Sequence, residues 1–173
     1  MTEGNRKHRP AVDTRRHPMG EVRKAVLGGD HDSLVIRETI GQMALEGCWE
    51  EVWKIADSMG REVSILLDRR ERVFVDVGTA GSVILSPPEG SEIPFRLWVH
   101  THPRLAYWSQ TDKDSLATYS NLIEEALVLG FDHLKRTVNG GNHPLALAEE
   151  GPLSRWSSEP NVPYGKGGVA SVG

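Results

Sequence analysis

The chain has 173 residues, 38% of them apolar, and a formal net charge of −4. That is room for one domain with a real core, and so small a net charge makes no whole-protein case for a nucleic-acid partner. The single cysteine, Cys48, excludes an internal disulfide and a Cys-rich zinc finger, and fits a reducing compartment. No signal-type apolar stretch opens the chain and no run approaches membrane-spanning length, so the expectation is a cytoplasmic protein with no membrane partner.

Residues 1–32 mix Arg6, Lys7, Arg9, Arg15, Arg16, Arg23 and Lys24 with Pro10, Pro18 and a Gly28-Gly29 pair. With few large apolar residues, this segment reads as a flexible basic tail that cannot offset its own ordering entropy. A basic arm could touch nucleic acid or an acidic partner; a solvated tail is the preferred reading, and His8, His17 and His31 within it are given no ligand role. Leu34-Val35-Ile36 predicts a first strand. Ile40, Met43, Ala44, Cys48, Val52, Ile55 and Met59 then recur at three- and four-residue spacing, which predicts one long amphipathic helix stopped by Gly60. Trp49 and Trp53 beside that stripe are packing residues in this reading.

Beyond Gly60, two strands are expected at 62–67 and 73–77, joined by a charged turn, and a short one at 81–85. Residues 86–92 are a loop by composition. Phe95, Leu97 and Val99 alternate with Arg96, Trp98 and His100, the period of a strand with one buried face. His100 and His102 therefore project from the same side of it, as the first two nitrogen ligands of a divalent metal must. Pro103 ends the ladder. Ser109-Gln110-Thr111-Asp112 then stands where a helical pattern begins, so Asp112 can be a first-turn capping residue, a third metal ligand, or both. Leu116, Tyr119, Leu122, Ile123, Ala126 and Leu127 predict a second amphipathic helix ended by Gly130. Strands are expected at 131–138 and 145–148 around a turn at 139–142, and a second flexible tail over 151–173. His133 and His143 are read as ordinary loop residues. The order of elements suggests an α/β sandwich around a mixed sheet, with the domain proper at 33–150.

An open zinc site of two histidines and an aspartate would activate water and polarise the carbonyl under attack. It also needs a carboxylate outside the ligand set to move the proton. Glu62, an acid opening an apolar strand after the long helix, is a candidate. With Glu62, His100-Thr101-His102-Pro103 and Ser109-Gln110-Thr111-Asp112 in that order, the chain resembles the JAMM (MPN+) zinc metallopeptidases over residues 33–150. The resemblance implies an MPN-like, cytidine-deaminase-like fold, with a mixed sheet sandwiched by helices. It implies Zn2+ held by His100, His102 and Asp112, with Glu62 as general acid/base and Ser109 positioning water or stabilising the oxyanion. It further implies deubiquitinase-like hydrolysis of a peptide or isopeptide bond at the C-terminus of a ubiquitin-like or small modifier protein, with a possible companion subunit. The step from His102 to Asp112 is one residue shorter than the family's usual spacing. Asp112 keeps the Ser-x-x-Asp relation and is preferred, with Asp114 as the fallback. The same departure suits the alternative of a catalytically silent MPN-type scaffold that binds protein partners.

Overall fold

A computed structural model describes residues 10–78, 88 and 90–165. Among these residues the helices are α1 (Met19–Leu27), α2 (Leu34–Glu46), α3 (Trp49–Met59) and α4 (Gln110–Thr118). The strands are β1 (Glu62–Leu67), β2 (Val73–Gly78), β3 (Leu97–Thr101), β4 (Glu125–Leu129), β5 (His133–Val138) and β6 (Val162–Pro163). They form one mixed sheet in the order β2-β1-β3-β4-β5-β6, in which β3 and β4 are parallel and the other pairs antiparallel. The chain is thus a single mixed α/β domain, and none of its described helices is long and apolar enough to cross a membrane.

Two cores lie on the two faces of the sheet. Val63, Ile65, Leu67, Val99, Leu127 and Leu129 pack one face against α2 and α3. Leu66, Trp98, Ala126 and Val128 pack the other against Leu116 of α4, Trp108 and Trp156. Every residue of β3 is buried, so this strand is central and covered on both faces. The alternation read from the sequence separates two buried faces, rather than a buried face from a wet one. Trp98 is large and apolar enough to belong to either kind of surface, and only the second layer decides between them.

Several expected elements differ. Leu34-Val35-Ile36 is the first turn of α2, not a strand: the Ser33 hydroxyl accepts from the Ile36 N–H (3.2 Å) and caps the helix. The long helix is two helices. Gly47 takes a left-handed conformation (φ 72°) and the Cys48 N–H returns to the Met43 carbonyl, closing α2 before α3 begins. The second helix ends at Thr118, and the apolar run after it is β4. In a central parallel strand both faces are apolar, so its sequence shows no period that distinguishes it from a buried helix. Residues 145–148 form no strand, only an isolated bridge from Ala146 to Ser157. The strand expected at 81–85 lies outside the described residues.

The described parts of both expected tails, 10–32 and 151–165, pack on the domain, while residues 1–9 and 166–173 lie outside the described residues. The Val12 N–H donates to Val73, at the edge of the sheet, and Val22 of α1 is buried. Glu38 accepts from Arg15 and His17, while Arg16 bridges Glu46 and Glu51. At the other end Trp156 is fully buried in the second core and donates to the Leu116 carbonyl (3.1 Å). The domain therefore takes in residues 10–32 and 151–165 as well as 33–150. Composition misses this because one buried aromatic and a few ion pairs anchor stretches whose average is polar.

Candidate metal centre

The register of the sheet brings the candidate residues together. Ser64 of β1 stands opposite His100 of β3. Continuing that antiparallel register sets Glu62 across from His102, and residues opposite one another share a face. That face carries Leu66 and Trp98, so Glu62, His100 and His102 lie on the side of the sheet covered by α4 and the loop before it. The loop delivers Asp112 in the first turn of α4. Binding sites of α/β sheets form in this way, where a strand's carboxyl end meets its crossover connection.

His100, His102 and Asp112 are all buried, and one ligand atom from each lies within 4.8 Å of the others. His100 Nε2 is 3.0 Å and His102 Nε2 is 3.2 Å from Asp112 Oδ2. Although His100 Nε2 is that near the carboxylate, neither of its ring nitrogens has a directed hydrogen bond. A buried polar atom without such a bond costs about 1–3 kcal/mol, so convergence of this kind needs another partner. Two neutral imidazoles and a carboxylate are a donor set that fits a divalent transition metal such as zinc.

Asp112 caps the helix and stands within reach of both histidines. Its Oδ2 accepts from the Ser109 N–H (3.0 Å) and the Ser109 hydroxyl accepts from the Asp112 N–H (3.1 Å), a complete capping box. Burial alone would raise the Asp112 carboxyl; the two imidazoles and the Ser109 N–H more than reverse that and hold it far below the ordinary carboxylate range. The residue is therefore an anion aimed at both histidines. Asp114 is exposed and accepts from Gln110 Nε2 (2.9 Å), outside the group.

An open cleft of about 580 Å³ runs over this centre, lined by Glu62, His102, Ser109 and Asp112 among others. A smaller pocket of about 120 Å³ opens beside it between Gly60 and Pro103, and shares Glu62 and His102 with it. Glu62 is half-buried at the start of β1. Of the five residues expected in the site, four line one cleft and the fifth, His100, lies beneath it.

Several supporting residues were not legible. Trp53, expected as packing, donates its indole N–H to the His102 carbonyl (2.8 Å) and fixes the backbone of a ligand. Trp98 stacks on His100 with ring centroids 4.6 Å apart, and Tyr107 meets His102 edge-on at 4.8 Å. His133, expected as an ordinary loop residue, accepts the Ala106 N–H on Nε2 (2.9 Å) while its Nδ1 faces Asp132 (2.8 Å). This ties the β4–β5 turn to the loop that carries Ser109 and Asp112. His143 stays peripheral, bonded to the Arg155 carbonyl. A sequence-level signal existed only for Trp53, in its place on the helix stripe, and that signal reads equally as core.

Comparison of the chain with protein-family models, with curated proteins and with solved structures gives no match.

Proposed function

We propose that this chain is a zinc-dependent hydrolase of the JAMM type, cleaving a peptide or isopeptide bond at the C-terminus of a ubiquitin-like or small modifier protein. One observation carries the reading. Glu62, a residue remote in sequence from the His100–His102–Asp112 group, lines the same cleft as His102, Ser109 and Asp112. An MPN-like arrangement of the mixed sheet belongs to this same proposal.

Zinc held by His100, His102 and Asp112 would supply a Lewis acid that activates water and polarises the scissile carbonyl. The chain's own groups do the rest. Glu62, outside the ligand set, takes the proton of the attacking water and passes it to the leaving nitrogen as the C–N bond breaks. Ser109 Oγ already accepts the Asp112 N–H, so its own proton is free to point toward a developing oxyanion in the cleft. One such donor lowers a barrier by about 3 kcal/mol. Trp98 stacks on the His100 ring and Trp53 holds the His102 backbone, contacts that would limit the reorganisation needed to hold the ion.

Metal analysis of the purified protein, with Glu62→Gln beside it, tests the reading. Near-stoichiometric zinc in both proteins, and cleavage of a ubiquitin-like C-terminal fusion by the parent alone, is the expected result. Parent protein that takes up no zinc, or a Glu62→Gln variant that cleaves at the parental rate, would refute it.

A further inference from the structure

Among the described residues that line the cleft, one has a cationic side chain of Arg or Lys type, Arg104. Among the described residues Arg104 is exposed and in no ion pair, as are Arg23, Arg61, Arg69 and Arg155; of these five, Arg104 lines the cleft. Beside it, Leu105 is 65% and Tyr107 54% exposed, two large apolar side chains also turned into this cleft.

The segment that presents them is held rigidly. The Arg104 carbonyl accepts from the Phe131 N–H (2.8 Å), and the Ala106 N–H donates to His133 Nε2 (2.9 Å). A Cβ on Gly130 would lie 2.8 Å from the Arg104 carbonyl oxygen, so the turn and the loop are in close backbone contact. An exposed loop whose backbone is fixed by the turn at 130–133, with a guanidinium and two apolar side chains lining one cleft, suits a ligand that has a carboxylate next to an apolar group.

Resting on the hydrolase reading above, we propose that Arg104 binds the free α-carboxylate of the group released, with Leu105 and Tyr107 receiving its apolar side chain. The substrate class is then a chain whose scissile amide precedes a C-terminal apolar residue, rather than an isopeptide to a lysine within a folded protein. The spacing suits this. Arg104 lies two residues from His102, so their Cα atoms are at most about 7 Å apart, within reach of the carboxylate of the residue that carries the scissile nitrogen. In the reaction the water oxygen bonds to the carbonyl carbon and the C–N bond breaks. The nitrogen leaves as the ammonium of a free amino acid with both of the water's protons gained, and the other product is a carboxylate.

Two peptides test it, both ending Gly-Gly-Leu, one with a free carboxylate and one as the carboxamide. Hydrolysis is followed with the zinc-loaded parent, Arg104→Ala and Arg104→Lys; binding is followed with zinc-loaded Glu62→Gln, with and without Arg104→Ala. The expected preference of the parent for the acid is about tenfold or more, from a charge-assisted pair worth about 1.5–3 kcal/mol. It should be expressed in KM, abolished in Arg104→Ala and partly restored in Arg104→Lys. Equal handling of acid and amide by the parent, or a preference that survives in Arg104→Ala, overturns the proposal. If neither peptide is cleaved, an Arg104-dependent preference for binding the acid upholds it while the hydrolase reading fails. Absent or equal binding of the two peptides then overturns it.

Discussion

Replacing Asp112 by asparagine separates the two tasks the residue performs. An asparagine oxygen can still accept from the Ser109 N–H, and the backbone N–H still reaches the Ser109 hydroxyl, so the capping box that starts α4 survives. What disappears is the negative charge 3.0 Å from His100 Nε2 and 3.2 Å from His102 Nε2. Binding of about 10–16 kcal/mol, shared over four ligands, assigns roughly 3–4 kcal/mol to each. Loss of one anionic ligand should therefore weaken zinc binding about 10²–10³-fold. At a free zinc concentration of about 100 times the parental Kd, the parent gains roughly 2.7 kcal/mol of stability from the ion. For a domain of this size that is a rise in Tm of about 5–11 °C. Asp112→Asn at the same concentration should gain only about 0.4 kcal/mol or less, a shift near 1 °C. With chelator present the two proteins should melt within a few degrees of one another. Thermal melts with buffered zinc and with chelator, alongside Asp114→Ala as a control, make the measurement. An Asp112→Asn protein with the full zinc shift, or an Asp114→Ala protein without one, would refute the assignment of the third ligand.

Two further perturbations bear on the frame around the site. Asp68 is fully buried at the β1–β2 turn and accepts from the N–H groups of Arg70, Arg72 and Glu92 and from the Arg72 guanidinium at 2.9–3.0 Å. Burial opposes its charge, but the N–H groups of Glu92, Arg72 and Arg70 and the Arg72 side chain outweigh burial and lower its pKa. Because the folded value is depressed, its stabilisation is fully present above the unfolded carboxylate value of about 3.9 and is lost as pH falls through the lower folded value. Asp68→Asn should cost about 2 kcal/mol at pH 7, and denaturant titrations should show the gap to the parent closing below pH 4. A gap that stays constant with pH would contradict the assignment. Gly130→Ala places a Cβ 2.8 Å from the Arg104 oxygen and 2.9 Å from the Ala106 nitrogen, both backbone atoms. The expected loss is about 1–3 kcal/mol, with weaker zinc binding because the displaced loop leads into the first turn of α4, which carries Asp112. Parental Tm and zinc affinity together would show that the turn does not hold the loop.

The sequence by itself determined the parts of this protein that depend on local rules. Strand alternation put His100 and His102 on one side of β3. The Ser-x-x-Asp spacing put Asp112 at a helix start, and Glu62 stood out as the acid opening an apolar strand after the helix, in the place the family resemblance expects one. The left-handed stop at Gly60 was legible for the same reason, since a glycine after an apolar stripe closes a helix without outside help. What only the tertiary structure decided depends on partners distant in sequence. Whether Ala126 and Leu127 belong to a helix or a strand turns on β3 being free to pair with them in parallel. Whether residues 10–32 and 151–165 are tails or domain turns on Val73 accepting Val12 and on the core admitting Trp156. The sequence prefers Asp112 over Asp114 only through its Ser-x-x-Asp relation. Helical geometry turns the first toward the imidazoles and the second toward Gln110, and that choice is made by where α4 sits on the sheet. His133, Trp53 and Arg104 acquire their roles in the same way: a hydrogen bond to a loop, or the lack of a counterion in a cleft, is a property of the packed chain and has no period, spacing or composition to announce it.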